Sequence, residues 1–209
     1  NEDIESSYKL GLIYEDLNNL EDAKKYYLLA AKKNHLNSKL HLGRIYYNEG
    51  NYEESKKMLD VCANENNAYA QHMVALIYEN YYSDHTNAKY WYEKSKSQGL
   101  VESIFNLGQI SLKLEEDELA KKYFKQGVEA GNKDSEYMLA GIYLKKGRNM
   151  YKKLGEEGLF NSKDIYDSIP EFKLNTESFL IPEFKEFEAV KDEEEEEYIP
   201  NYILQIDEN

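Results

Sequence analysis

The stretch Leu10-Gly11-Leu12-Ile13-Tyr14 is the first copy of a five-residue phrase that returns four more times. The later copies are Leu42-Gly43-Arg44-Ile45-Tyr46, Val74-Ala75-Leu76-Ile77-Tyr78, Leu107-Gly108-Gln109-Ile110-Ser111 and Leu139-Ala140-Gly141-Ile142-Tyr143. Successive copies are 32, 32, 33 and 32 residues apart. A fixed period of this size predicts stacked helical units, each of which buries its apolar face against its neighbours. We therefore expect an all-α solenoid of about five antiparallel helix pairs over residues 1–160.

The columns formed by aligning the copies predict the first helix of each pair. The Leu/Val and Ile columns lie three residues apart and so share one helix face. The Gly/Ala column between them leaves room for a second helix to approach, since glycine inside a helix costs about 1 kcal/mol and needs a packing reason. The tyrosine in fifth place should complete the buried stripe.

A second pattern follows each phrase and predicts the partner helix. It consists of a small residue, a large residue four positions later and a second small residue three positions after that. This spacing is typical of a helix face that packs into the groove of another helix. The sets are Ala23/Tyr27/Ala30, Ser55/Leu59/Cys62, Ala88/Tyr92/Ser95 and Ala120/Phe124/Gly127. Asn34, Asn66, Gly99 and Gly131 should end these helices in the left-handed conformation. The next helix should open near Asn37-Ser38, Asn67, Glu102-Ser103 or Asp134-Ser135. We expect helices of about 12–14 residues.

These residues resemble the tetratricopeptide repeat family and its relative, the Sel-one-like repeat. The phrase Leu-Gly-x-Ile-Tyr, the Ala twelve residues after its Gly and the aromatic four beyond match that pattern. The segment Tyr90-Trp91-Tyr92-Glu93-Lys94-Ser95 is similar to the second helix of a Sel-one-like repeat. The resemblance covers about residues 4–160 and implies a right-handed superhelix whose concave surface, lined by the first helices, binds proteins or peptides.

The fifth unit departs from the pattern. Tyr143 and Tyr151 are eight residues apart, whereas Ser111 and Phe124 are thirteen apart. About five residues of turn and helix start are missing near residues 146–149, which indicates a truncated last pair or a shortened chain. Residues 162–169 are predicted to form one more helix before Pro170.

The net charge of −14 is concentrated in an acidic C-terminal extension, residues 161–209. Residues 164–209 contain 15 acidic side chains and three lysines, while residues 1–163 contain 25 and 23. Such a field disfavours nucleic acid and favours a basic partner. No segment is apolar over the ~20 residues that a membrane span needs. The single cysteine, Cys62, and the lack of a targeting segment slightly favour the cytoplasm over export.

The extension also contains apolar islands on both sides of the acidic run 192–197. Phe179-Leu180-Ile181 precedes the run, and Tyr198-Ile199 and Tyr202-Ile203-Leu204-Gln205-Ile206 follow it. A purely solvating tail would lack such islands. Three interpretations stay open: the tail caps an exposed end of the solenoid, lies in its groove as an internal ligand, or binds a partner.

The predicted partner site is the concave groove, where an aromatic-rich column with scattered polar groups suits an extended or helical peptide. Its candidate residues are Tyr8, Arg44, Tyr47, His72, Glu79, Phe105, Gln109 and Tyr137. The alternative is that several of them pack between adjacent first helices. Some relatives bind a C-terminal carboxylate through a Lys/Asn/Arg clamp. The matching positions here are Tyr8, Leu12, His41, Tyr69 and Met73, which disfavours that ligand.

The sequence predicts no catalytic residue, cofactor or metal site. The four histidines are not spaced as metal ligands with a carboxylate or cysteine, and no phosphate loop or nucleophile elbow is present. Cys62 falls in a small-residue packing column and is expected to be an inert core residue.

The sequence therefore predicts a non-enzymatic scaffold for protein–protein interaction, with no nucleic-acid partner. The alternative is an inhibitor or immunity-type protein that neutralises a basic enzyme through its acidic tail. In that case Glu195, Glu196, Glu197, Tyr198 and Tyr202 would contact the partner. Exposed ends of a short solenoid can also stack into a homodimer.

Overall fold

A computed structural model describes residues 3–158, 161–171 and Phe184, and all its regular structure is α-helical. Consecutive helices pack against each other as antiparallel neighbours along the array. The eight helices of the first four units are 12 or 13 residues long, as predicted. They are α1 (Ile4–Asp16), α2 (Leu20–Ala31), α3 (Leu36–Asn48), α4 (Tyr52–Asn64), α5 (Ala68–Asn80), α6 (His85–Ser97), α7 (Val101–Lys113) and α8 (Asp117–Glu129). The all-α solenoid is confirmed.

The turns between units contain the predicted left-handed residues. Asn34, Asn66, Gly99 and Gly131 have φ of 69°, 65°, 88° and 81°. The predicted helix starts are less accurate. Asn67 is the N-cap of α5, but α3, α7 and α9 begin two or three residues earlier than predicted, with His35, Leu100 and Asn132 at their N-caps. At His35 the imidazole Nδ1, rather than a carboxamide or hydroxyl, accepts from the Ser38 amide at 3.2 Å.

The glycine column marks the closest contact within each pair, as predicted. A Cβ added at Gly43 would lie 2.5 Å from Cγ of Leu59, and one at Gly108 would lie 2.6 Å from Cε1 of Phe124. Both partner side chains are fully buried. At these two positions a Cβ would overlap the leucine or aromatic side chain of the second helix unless that side chain shifted.

The tyrosine column is not buried, contrary to the prediction. Tyr14, Tyr46 and Tyr78 are half-buried and Tyr143 is 45% exposed. The reason is that these rings lie at the edge of each pair, where Tyr14 stacks on Tyr26 at 5.3 Å between centroids. The isoleucine column is buried only inside the array: Ile45, Ile77 and Ile110 are at most 2% exposed, whereas Ile13 in α1 is 54% exposed. Ile142 in the fifth unit, at the other end of the column, is half-buried and packs against the cluster that contains Phe105 and Phe124.

The fifth unit contains one long helix, α9 (Lys133–Glu156), followed by α10 (Ser162–Ser168). The predicted break near residues 146–149 lies inside α9, which passes through Gly147 without a turn. Because the segment is five residues shorter than in the other units, no residues remain to form the turn. The predicted helix over 162–169 is confirmed, and α10 packs on α9 near Gly155.

Candidate functional site

The predicted groove residues divide into a buried and an accessible set. Among the eight candidates, five are at most 6% exposed and pack between helices. They are Tyr8, His72, Glu79, Phe105 and Gln109. Arg44 and Tyr47 are half-buried and Tyr137 is 59% exposed. Peptide contact stays a prediction for these three, whereas the five buried side chains offer little surface to a ligand in this conformation.

Two of the buried polar candidates, His72 and Glu79, belong to a hydrogen-bond network that joins α5, α6 and α7. The His72 Nδ1 lies 2.7 Å from the Ser103 hydroxyl, and the Asn106 amide donates to the Tyr92 hydroxyl oxygen at 3.3 Å. The Tyr92 hydroxyl donates to Glu79 at 3.0 Å. Burial, with the nearby Glu79 carboxylate, raises the pKa of the Tyr92 phenol well above its ordinary value. The network holds the central helices in register, because a buried polar group without its partner is costly.

A second network surrounds Glu15 on α1. The Tyr27 hydroxyl donates to its carboxylate at 2.6 Å, and Nδ1 of His41 lies 2.8 Å from it. Arg44 from the next unit forms an ion pair with the same carboxylate. The Arg44 Nε is buried and has no hydrogen-bond partner in the described part of the chain. Glu15 therefore fixes two side chains of α3, an imidazole and a guanidinium, with one N–H donor left over.

These two α3 side chains form a pocket with Tyr69 of α5, and Phe184 lies in it. We call His41, Arg44 and Tyr69 the aromatic pocket. The Phe184 ring meets His41 edge-on, with centroids 4.6 Å apart at 65°, and Tyr69 at 5.1 Å and 87°. The Arg44 Cζ lies 4.8 Å from the ring centroid, within the range of a cation–π contact. A residue of the C-terminal extension is thus bound between the first helices of units two and three.

Tyr69 forms an uncharged wall of this pocket. It is 4% exposed, and burial raises the pKa of its phenol to about 12, although the Arg44 charge opposes the shift. Between pH 5 and 9 the phenol is therefore neutral. The pocket combines two rings with one paired cation, an arrangement that suits an aromatic side chain.

Sequence reasoning named His41 and Tyr69, but only as failed positions of a carboxylate clamp. The usable signal was the residue type, because two aromatic rings at clamp positions favour a ring in the ligand. Among the tail candidates, Glu195, Glu196, Glu197, Tyr198 and Tyr202 lie outside the described residues.

Reaction chemistry has little support among the described residues. No cluster of three or more His, Cys, Asp or Glu side chains there could hold a metal ion. Cys62 is fully buried, and burial raises the pKa of its thiol to about 12, so the nucleophilic thiolate is not formed near neutral pH. No helix within the described ranges is both long and apolar enough to cross a membrane.

Three stretches of the chain match the family model of the tetratricopeptide repeat: residues 4–32, 36–66 and 101–132. They correspond to the helix pairs α1–α2, α3–α4 and α7–α8. A comparison with curated proteins gave no match. The matched units include α3, which provides two of the three pocket residues.

Proposed function

Because the chain belongs to the tetratricopeptide repeat family, we propose that it is a non-enzymatic scaffold that binds a protein or peptide segment in its concave groove. The aromatic pocket receives the anchoring side chain, and Tyr47 of α3 and Tyr137 of α9 extend the contact along the first helices. The observation that carries the proposal is the occupied pocket: its three side chains already hold an aromatic ring.

The contacts in the pocket are strong enough to anchor a peptide. Burying an aromatic side chain removes about 150–250 Å² from water, and its edge-on partners add about 0.5–1.5 kcal/mol each. At about 25 cal/mol per Å², the area alone contributes about 4–6 kcal/mol before the cost of ordering the peptide. The anchor therefore contributes a large share of the binding free energy, and further groove contacts set the affinity and the specificity.

The test is a selection of peptides followed by measurement of their affinities. A random-peptide display library is selected on the full chain, and enriched peptides are labelled and titrated by fluorescence anisotropy. Tyr69→Ala and Tyr47→Ala should weaken binding by about tenfold or more, since each removes ring contacts worth about 1.4 kcal/mol. Tyr69→Phe should retain binding, because the ring rather than the hydroxyl forms the wall.

The matched control is Tyr90→Ala. Tyr90 is 52% exposed on α6, a second helix that does not form the pocket. Circular dichroism first establishes that each variant keeps its helicity. If the enriched peptides bind Tyr69→Ala and Tyr47→Ala as tightly as the unaltered chain, the groove is not the binding site and the proposal is wrong.

An inhibitor or immunity-type function is the second candidate, favoured by the 15 acids and three lysines of residues 164–209. Such a tail would bind one basic protein with a fast, salt-sensitive association. Deleting residues 191–209 should then abolish binding, while Tyr69→Ala should not affect it. The opposite result assigns binding to the groove.

Self-association is a third, independent property that we propose for the N-terminal end. Ile13 and Leu17 on the α1 side are 54% and 69% exposed, and Leu10 and Leu20 beside them are 38% exposed. Two such ends can stack and bury these side chains. Light scattering should then report a dimer that Leu17→Glu converts to monomer; a monomer at all concentrations for the unaltered chain would exclude it.

A further inference from the structure

The C-terminal extension repeats one short pattern, in which an Ile-Pro pair is followed, after one residue, by an aromatic residue. The copies are Ile169-Pro170-Glu171-Phe172, Ile181-Pro182-Glu183-Phe184 and Ile199-Pro200-Asn201-Tyr202, and they contain all three prolines of the chain. The first two share a following lysine. Proline fixes φ and in general favours an extended backbone.

The ring of the second copy is the one that lies in the aromatic pocket. Phe184 contacts His41, Arg44 and Tyr69 through two edge-on ring contacts and one cation–π contact. It also packs beside the central hydrophobic cluster of the array. Each of these contacts is one that a partner peptide in the groove would need.

The tail can reach this pocket within the same chain. Phe184 lies thirteen positions after Glu171, and an extended chain covers at most about 3.5 Å per residue, or about 45 Å here. Packed helices lie about 10 Å apart, so the three unit-to-unit steps from α9 back to α3 span about 30 Å. A second copy of the chain is therefore not needed to fill the pocket.

The chemistry beside Phe184 complements the pocket. Glu183 and Glu186 flank the ring in sequence, and the pocket contains the Arg44 cation, whose Nε has no hydrogen-bond partner among the described residues. The anchoring group is the ring, because Arg44 is already paired with Glu15 and its charge adds little for the flanking acids. An external ligand for the same pocket would share this feature: an aromatic residue, preferably after Ile-Pro-x.

We propose that Phe184 is an intramolecular ligand of the groove, so that a partner binds by displacing it. The proposal rests on the proposed function, because it assigns the partner site to the same pocket. It decides among the three interpretations of the tail in favour of an internal ligand, and it makes the free chain autoinhibited.

Tethering makes such occupancy effective even when the contact is weak. A short flexible linker gives an effective concentration in the millimolar range, so a segment whose free peptide binds with a Kd of about 100 μM would occupy its site about 90% of the time. A competing peptide then binds about tenfold more weakly than it would to an empty pocket.

The experiment uses full-length chains and a fluorescein-labelled synthetic peptide with the sequence of residues 178–190, titrated by anisotropy. Against the Phe184→Ala chain, whose pocket is vacated, the peptide should bind about tenfold or more tightly than against the unaltered chain. The same peptide carrying alanine in place of its phenylalanine at position 184 should not bind either chain. Phe172→Ala is the matched control, since it removes the same residue type from the same Ile-Pro-Glu-Phe-Lys context.

Several results would overturn the inference. Equal peptide affinity for the unaltered and Phe184→Ala chains would show that the tail does not occupy the pocket. An equal gain in Phe172→Ala would show that Phe184 is not the occupant, and a gain that depends on protein concentration would place the tail in a second copy. The peptides enriched in the library selection distinguish failure of this inference from failure of the proposed function. If they bind Phe184→Ala while the 178–190 peptide does not, only this inference fails, and if neither binds, the proposed function fails as well.

Discussion

Replacing Gly108 by alanine tests how closely the paired helices approach. The added Cβ would lie 2.6 Å from Cε1 and 2.7 Å from Cζ of Phe124, whereas ordinary contact begins at 3.4 Å. The ring must therefore shift by about 0.8 Å. Phe124 is fully buried and packs against Phe105, with ring centroids 5.7 Å apart, so the shift strains the core of the fourth unit.

The magnitude follows from two opposing contributions. Overpacking a rigid core side chain costs typically about 1–3 kcal/mol, and a buried ring with no room to rotate lies near the upper end. Alanine inside a helix gains about 1 kcal/mol over glycine. Gly108→Ala should therefore lower the free energy of unfolding by about 2 kcal/mol.

Gly147 provides the matched control in the next unit. It lies inside α9, and a Cβ there would meet no atom within 4 Å. Gly147→Ala should thus raise the free energy of unfolding by about 1 kcal/mol. In urea, with an m-value of about 2 kcal/mol/M, the midpoints of the two variants should differ by about 1.5 M when followed by far-UV circular dichroism. If Gly108→Ala unfolds at the same or a higher urea concentration than Gly147→Ala, the close-approach argument is wrong.

Three further predictions concern polar and titratable groups. Lys113→Met should lower the free energy of unfolding in urea by about 2–3 kcal/mol, because the fully buried Glu79 carboxylate loses its 2.9 Å ion pair. Adding Glu79→Gln should recover at least half of that loss. No recovery would contradict the role of the ion pair. Burial raises the pKa of the Cys62 thiol to about 12, so Cys62 should react with a thiol reagent at pH 8 only in denaturant. Fast reaction of the native chain would contradict the burial of this thiol. Hydrogen bonds from the Asn87 backbone and side chain lower the pKa of Asp84, the N-cap residue of α6. The ionised cap therefore stabilises the fold above pH 4. This stabilisation is lost as the pH falls through the lowered pKa. Asp84→Ala should therefore lower the Tm more at pH 7 than at pH 2, and an equal loss at both would refute the linkage.

The repeat made most of the fold predictable, because the contacts that stabilise it recur at fixed spacing. Gly43 meets Leu59 and Gly108 meets Phe124, in each case sixteen residues later, so one aligned column gave both the helix pairing and its point of closest approach. The turns were predictable for the same reason, since each needs a left-handed residue at a fixed position.

In the fifth unit the repeat period no longer predicts the local structure. The missing five residues indicated a broken repeat, but the sequence did not say whether a shortened turn or a continuous helix would result. A continuous helix forms because it contains only one unfavourable residue, Gly147, which costs about 1 kcal/mol. A turn would require several residues to leave helical geometry.

The site was harder to predict than the fold, because a column position does not determine exposure. His72 and Gln109 occupy groove positions in the repeat, yet both are completely buried, whereas Tyr137 in the last unit is 59% exposed. How much of each column side chain is covered depends on how the neighbouring units and the tail pack. That packing cannot be deduced from spacing alone.

The pocket takes a ring rather than a carboxylate because its cation is already paired. Glu15 receives the Tyr27 hydroxyl from its own unit and Arg44 from the next, and Glu79 likewise receives the Tyr92 hydroxyl and Lys113. A paired guanidinium has little net charge to offer an incoming carboxylate, but its flat face stays available to an aromatic ring. Affinity should then come mainly from apolar and quadrupolar contact, which salt screens weakly. Binding at this pocket is therefore expected to tolerate salt, whereas binding through the acidic tail to a basic protein would be lost, and this contrast distinguishes the two proposed functions.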